Sequence, residues 1–104
     1  MKRMQSSMIF MEHLTVDFAG KRVLYDGKEI RFTRTEYLII ELLASYPGNV
    51  FDKEMIYEKV RGLEASADAS IIAEHIRRIR NKLKTVSDET FIETVWGVGY
   101  RWIG

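Results

Sequence analysis

Five apolar residues, Ile72, Ile76, Ile79, Leu83 and Val86, recur at steps of four, three, four and three. At about 100° per residue, such a series lies on one side of an α-helix. A helix with a single apolar stripe must bury it against a partner and leave its other side in water. The spacing therefore predicts a helix over Ala69–Val86 that lies half-buried at the molecular surface. Its outward face is centred on Ser70, Glu74, Arg77 and Asn81, with Arg78 and Lys84 at the edges.

That outward face is basic. Between Asp68 and Val86, five cations (Arg77, Arg78, Arg80, Lys82, Lys84) stand against Asp68 and Glu74, a net of +3. The whole chain carries only +1, from 16 basic and 15 acidic side chains. Total charge makes no case for a polyanionic partner, but its distribution does: a basic patch on a near-neutral body is the electrostatic footprint of phosphate binding. A solvated helix face has the same composition, so charge alone leaves both readings open.

The rest of the chain supplies partners for the stripe. In His13–Phe18, Leu14, Val16 and Phe18 alternate with Thr15 and Asp17, a strand with one apolar face and one polar face. Ala19-Gly20 turns the chain. Val23-Leu24-Tyr25 then runs into Asp26-Gly27, a pair that tolerates positive φ at both central positions of a hairpin. Glu29–Phe32 reads as the returning strand. Thr33-Arg34-Thr35-Glu36 is a capping box, and the following Tyr37–Tyr46 is apolar nearly all round except Glu41 and Ser45, as in a helix central to its domain. Pro47-Gly48-Asn49 ends that helix. Asp52 caps a second helix with Met55, Ile56 and Val60 on its apolar side. Arg61–Ala67 has no hydrophobic period and reads as a loop. After the basic helix, Phe91–Val95 and Tyr100–Ile103 flank Trp96-Gly97-Val98-Gly99 as a closing β-hairpin. Gly97 and Gly99 read as turn glycines that permit positive φ. Tyr37, Phe51, Phe91 and Trp102 read as core aromatics.

A length of 104 residues with 46% hydrophobic side chains is one domain's worth. The polar N-terminus reads as a linker or cloning remnant over residues 1–8, with the domain over 9–104. No apolar run reaches a membrane span, and no long apolar segment marks a signal peptide. Cysteine is absent, which excludes a disulfide framework and thiolate metal sites and fits a reducing cytoplasm. His13 and His75 lie on separate elements, so neither a metal site, a cofactor site nor a catalytic pair is expected.

A basic helix followed by a hairpin is suited to duplex DNA, whose major groove admits one α-helix. Arg77 and Arg78 splay to different sides of the helix. One is free to fork onto guanine while the other grips a phosphate. Arg80 and His75 border the stripe, where Arg80 has access to internal partners.

Three motifs carry a resemblance: Thr33-Arg34-Thr35-Glu36-Tyr37; Glu74-His75-Ile76-Arg77-Arg78-Ile79-Arg80-Asn81-Lys82-Leu83; and Glu93-Thr94-Val95-Trp96-Gly97-Val98-Gly99-Tyr100-Arg101. In order and spacing they closely resemble the OmpR/PhoB family of response regulators, over about Leu14 to Ile103. The resemblance implies an α+β winged helix-turn-helix fold: an N-terminal four-stranded antiparallel sheet, three helices and a C-terminal hairpin wing. It implies the DNA-binding output domain of a two-component regulator, bound to direct-repeat double-stranded DNA as tandem protomers. Members carry a phosphoacceptor receiver domain on the N-terminal side, and some touch RNA polymerase through the loop equivalent to Arg61–Ala67. By position, Ser70, Ile71, Glu74 and Arg78 fall among base-facing residues. His75, Arg77, Arg80, Thr94 and Tyr100 fall among phosphate contacts, and Trp96 at the wing tip. The chain departs from many members in having Ser70-Ile71 for an Arg-Thr pair, Glu74 at an often apolar position, and Trp96 where some relatives have a basic residue. A second reading, a winged helix that binds protein through the Arg61–Ala67 loop or an apolar face, shares the fold.

Overall fold

The computed structural model describes residues 8–60 and 69–104. Four strands, β1 (Met8–Met11), β2 (Leu14–Asp17), β3 (Arg22–Tyr25) and β4 (Lys28–Ile30), form an antiparallel meander in chain order. Register aligns Ile9 with Val16, Val16 with Val23 and Val23 with Ile30, so one apolar row crosses all four strands. At the β3–β4 hairpin, Asp26 and Gly27 have φ of 50° and 83°, the two positive values that a primed turn requires.

Some expected boundaries move. β1 begins at Met8, one residue inside the stretch assigned to the linker, and β4 ends at Ile30 rather than Phe32. Asp17, expected on the polar face of its strand, is only 4% exposed. Its carboxylate accepts the Gly20 N–H at 3.0 Å and Arg22 Nε at 2.9 Å, so the turn and the neighbouring strand replace its water.

The capping box forms as the sequence predicts. The Thr33 hydroxyl accepts the Glu36 N–H at 3.1 Å and the Glu36 carboxylate accepts the Thr33 N–H at 2.9 Å, opening α1 (Arg34–Ser45). Ile39, Ile40, Leu43 and Ala44 are buried, and α1 contacts both other helices and the closing hairpin. Pro47, just beyond α1, cannot continue the helix. Asp52 accepts the Met55 N–H at 2.8 Å and caps α2 (Lys53–Val60). Ile56 and Val60 are buried, but Met55 points to solvent, contrary to its assignment to the apolar side. The loop read at Arg61–Ala67 lies outside the described residues.

The basic helix, α3 (Ile71–Lys84), buries Ile72, Ile76, Ile79 and Leu83. It stops short of Val86, which is exposed. β5 (Ile92–Val95) and β6 (Gly99–Trp102) form the closing hairpin. Gly97 has φ of 80° in the turn where Val98 N–H meets the Val95 carbonyl at 2.9 Å. Gly99 serves a different purpose from the one expected. Its φ is not positive; a Cβ there would come within 2.7 Å of Asp52 Cα, because β6 packs its backbone against residues 51–52. Phe51 and Tyr100 exchange both backbone hydrogen bonds, at 2.8 and 2.9 Å, and Gly48 N–H reaches the Trp102 carbonyl at 2.9 Å. The hairpin is thereby bonded to the segment linking α1 and α2. Tyr37, Phe51, Phe91 and Trp102 are all core residues. The sheet, the three helices and the wing are those of the expected α+β winged helix-turn-helix architecture.

Candidate nucleic-acid interface

Both borders of the α3 stripe are tied down by polar bonds. On one border, Lys82 Nζ lies 2.6 Å from Glu36 Oε1 on α1. Glu36 is 1% exposed. Burial pushes its pKa up, but the Lys82 ammonium and the Thr33 N–H outweigh this and hold it below the ordinary carboxylate value. The helix cap and the α1–α3 contact therefore share one buried carboxylate. The signal for its cap role was in the sequence; its tie to Lys82 was not, because 46 residues separate them.

On the other border, Arg80 Nη2 donates to the Ile92 carbonyl at 3.1 Å and to the Thr94 hydroxyl at 2.7 Å. Its guanidinium carbon lies 5.7 Å from the centre of the Tyr100 ring. Arg80, Thr94 and Tyr100, all assigned to phosphate by resemblance, thus meet one another and hold the wing beside α3. A groove between α3 and β5, lined by Arg80, Leu83, Lys84, Thr94 and Trp96, separates the two projections.

The outward face carries exposed Ser70, Arg77, Arg78, Asn81 and Lys84, with Glu74 among them. Ile71 is half-buried at the first turn. Glu74 Oε1 accepts Arg77 Nε at 3.1 Å; Glu74 Oε2 accepts Arg77 Nη2 at 2.6 Å and Arg78 Nε at 3.1 Å. The Arg77 hydrogen bond holds the Glu74 carboxyl below its ordinary value and raises the Arg77 guanidinium in turn. Of the five cations counted in the segment, Lys82 and Arg80 are committed to the fold. The surface actually offered is the Arg77–Glu74–Arg78 cluster with Lys84.

His75 does not belong to this face. It is 7% exposed, and both ring nitrogens are buried without a hydrogen-bond partner. Its place one turn after Ile72 and one turn before Ile79 puts it on the buried side, so His75, expected among the phosphate contacts, has both ring nitrogens turned away from the outward face. At the other extreme, Trp96 is 89% exposed at the wing tip, with Val98 exposed beside it. The Glu93 carboxylate accepts from Arg101 across the two wing strands. Arg77 and Arg78 therefore face outward beside a protruding β-ribbon, an arrangement fitted in size and charge to a duplex groove and its flanking phosphates.

Comparison with known proteins agrees with this geometry. Residues 27–102 match the family model described as "Transcriptional regulatory protein, C terminal". The transcriptional regulatory protein SpaR of Bacillus subtilis is 42% identical over 101 residues, which cover 97% of this chain and 43% of SpaR. The chain spans less than half the length of such curated relatives. Among solved structures, the response regulator DrrB, a Thermotoga maritima OmpR/PhoB homolog, superposes with a TM-score of 0.83 at 28% identity, covering 96% of this chain and 46% of DrrB. The DNA-binding domain of CpxR from E. coli gives 0.79 at 26% identity, over 95% of this chain and 98% of that domain. On its sequence match and its fold alike, the chain belongs to the C-terminal domain family of transcriptional regulatory proteins, the winged-helix effector domains of the OmpR/PhoB class.

Proposed function

We propose that the chain binds double-stranded DNA sequence-specifically and serves as the output domain of a two-component response regulator, acting by binding and not by catalysis. The observation that carries this reading is the pair Arg77 and Arg78, exposed on a helix whose remaining sides are packed, with the wing bonded alongside through Arg80. α3 enters the major groove. Arg78 takes guanine O6 and N7, Ser70 and Ile71 approach neighbouring base edges, and Arg77 takes a phosphate. Arg80, Thr94 and Tyr100 set the wing at the height of the adjacent backbone, and Trp96 lies along the sugar–phosphate surface.

Family membership extends the proposal to direct-repeat sites occupied by tandem protomers, to RNA polymerase as a partner of residues 61–67, and to the cytoplasm as the place of action. Among the described residues no helix is long and apolar enough to cross a membrane.

The test is binding to a site selected from a random duplex pool. Arg78→Ala should cost about 1–3 kcal/mol and relax one base position. Arg77→Ala should weaken selected and unselected duplexes alike and make the log–log salt slope shallower by about 0.9. Unaltered binding by both variants would refute the assignment.

A further inference from the structure

Glu74 stands at the middle of the outward face of α3, one turn before both Arg77 and Arg78. Its two oxygens accept three N–H bonds from the two guanidinium groups. One acid thus holds both arginines on which DNA binding depends, Arg77 through Nε and Nη2 and Arg78 through Nε. An arginine that gives up this partner to engage DNA leaves the carboxylate facing the groove. What the groove presents then decides the outcome. Guanine O6 and N7, thymine O4 and every phosphate oxygen are acceptors and repel a carboxylate; cytosine N4 and adenine N6 carry the N–H groups that a carboxylate accepts. Exposed ion pairs of this kind each alter an equilibrium by less than about fivefold, weak enough for a matched base to displace.

We propose that Glu74 is a specificity-determining residue: it retains Arg77 and Arg78 in the ion-paired cluster on non-cognate duplex, and releases them over a base pair that offers an exocyclic amino group beside the arginines' own acceptors. The inference rests on the DNA-binding reading above and names what that site rejects as well as what it accepts. The charge of Glu74 works against affinity for DNA in general and in favour of discrimination.

The experiment uses the parent chain, Glu74→Ala and Glu74→Gln. Each is taken through selection from a random duplex pool, and each is titrated with an unselected random duplex over a range of salt. In the parent, one column of the selected site is restricted to cytosine or to adenine, and which of the two appears identifies the amino group read. In Glu74→Ala that column flattens. Both variants bind unselected duplex roughly two- to tenfold more tightly than the parent. Thermal melts that show each variant fully folded at the assay temperature exclude a folding effect, and alanine is well tolerated within a helix. A column unchanged in Glu74→Ala, together with unchanged affinity for unselected duplex in both variants, overturns the proposal and leaves Glu74 an ordinary surface ion pair. A folded parent that retains no duplex at low salt overturns the DNA-binding reading itself, a separate and prior failure.

Discussion

Individual side chains in this molecule take their roles from their neighbours more than from their type. His13 and His75 illustrate this. His13 is half-exposed, and Asp26 Oδ1 accepts a hydrogen bond from its Nδ1 at 2.7 Å, where the β1–β2 turn meets the β3–β4 turn. The hydrogen bond and charge of Asp26 raise its pKa above the ordinary 6.5. NMR titration should find His13 titrating above that value and Asp26→Asn should bring it down. Because the folded pKa is raised, the stabilisation from this pair is full below pH 6.5 and is lost as pH rises through the folded value. His75, by contrast, is enclosed and makes no hydrogen bond. Glu36 and Lys82 form the most consequential pair. Lys82→Ala leaves a carboxylate 1% exposed without its counter-charge and should destabilise the fold by about 2–3 kcal/mol in denaturant melts. The double variant Glu36→Gln with Lys82→Met should recover most of that loss, since no buried charge is then left unpaired.

Among the elements, α3 and the wing behave as one unit because three residues join them. Arg80→Met keeps the aliphatic stem but removes the bonds to Ile92 and Thr94. It should cost about 1–2 kcal/mol, with faster amide hydrogen exchange confined largely to β5 and β6. The base of the wing is held by backbone contact. Gly99→Ala would drive a methyl group into Phe51 and Asp52, where the neighbouring atoms are backbone and cannot rotate aside. A destabilisation of about 1–3 kcal/mol is expected, seen as a lowered Tm, with loss of the Phe51–Tyr100 pairing. Substitution of Gly97, which has open space around it, is strained for a different reason: its φ of 80° disfavours any side chain.

Over the whole molecule, the carboxylates Asp17, Glu36 and Glu74 all have folded pKa values below their ordinary 3.8 or 4.5. Depressed values stabilise the fold above the unfolded pKa, so this contribution is intact at neutral pH. Unfolding free energy should decline as pH falls below about 4.5 and through the folded values, a window that urea melts across an acid series would delimit. Salt should act in the other sense on duplex binding, which weakens as counterions compete for the same phosphates. Periodicity and turn chemistry alone determined the order of elements from β2 onward, the stripe of α3, the Thr33 capping box and the Asp26-Gly27 hairpin, because each depends on residues a few positions apart; the first strand was expected only from the family resemblance. Tertiary structure decided which cations remain available and which polar groups are enclosed. Arg80 finds Thr94, Lys82 finds Glu36, and Gly99 meets Phe51 only when distant segments pack. Helical angle places a side chain near a border, but the partner waiting there comes from elsewhere in the chain, and that partner settles whether a charge faces water or the core.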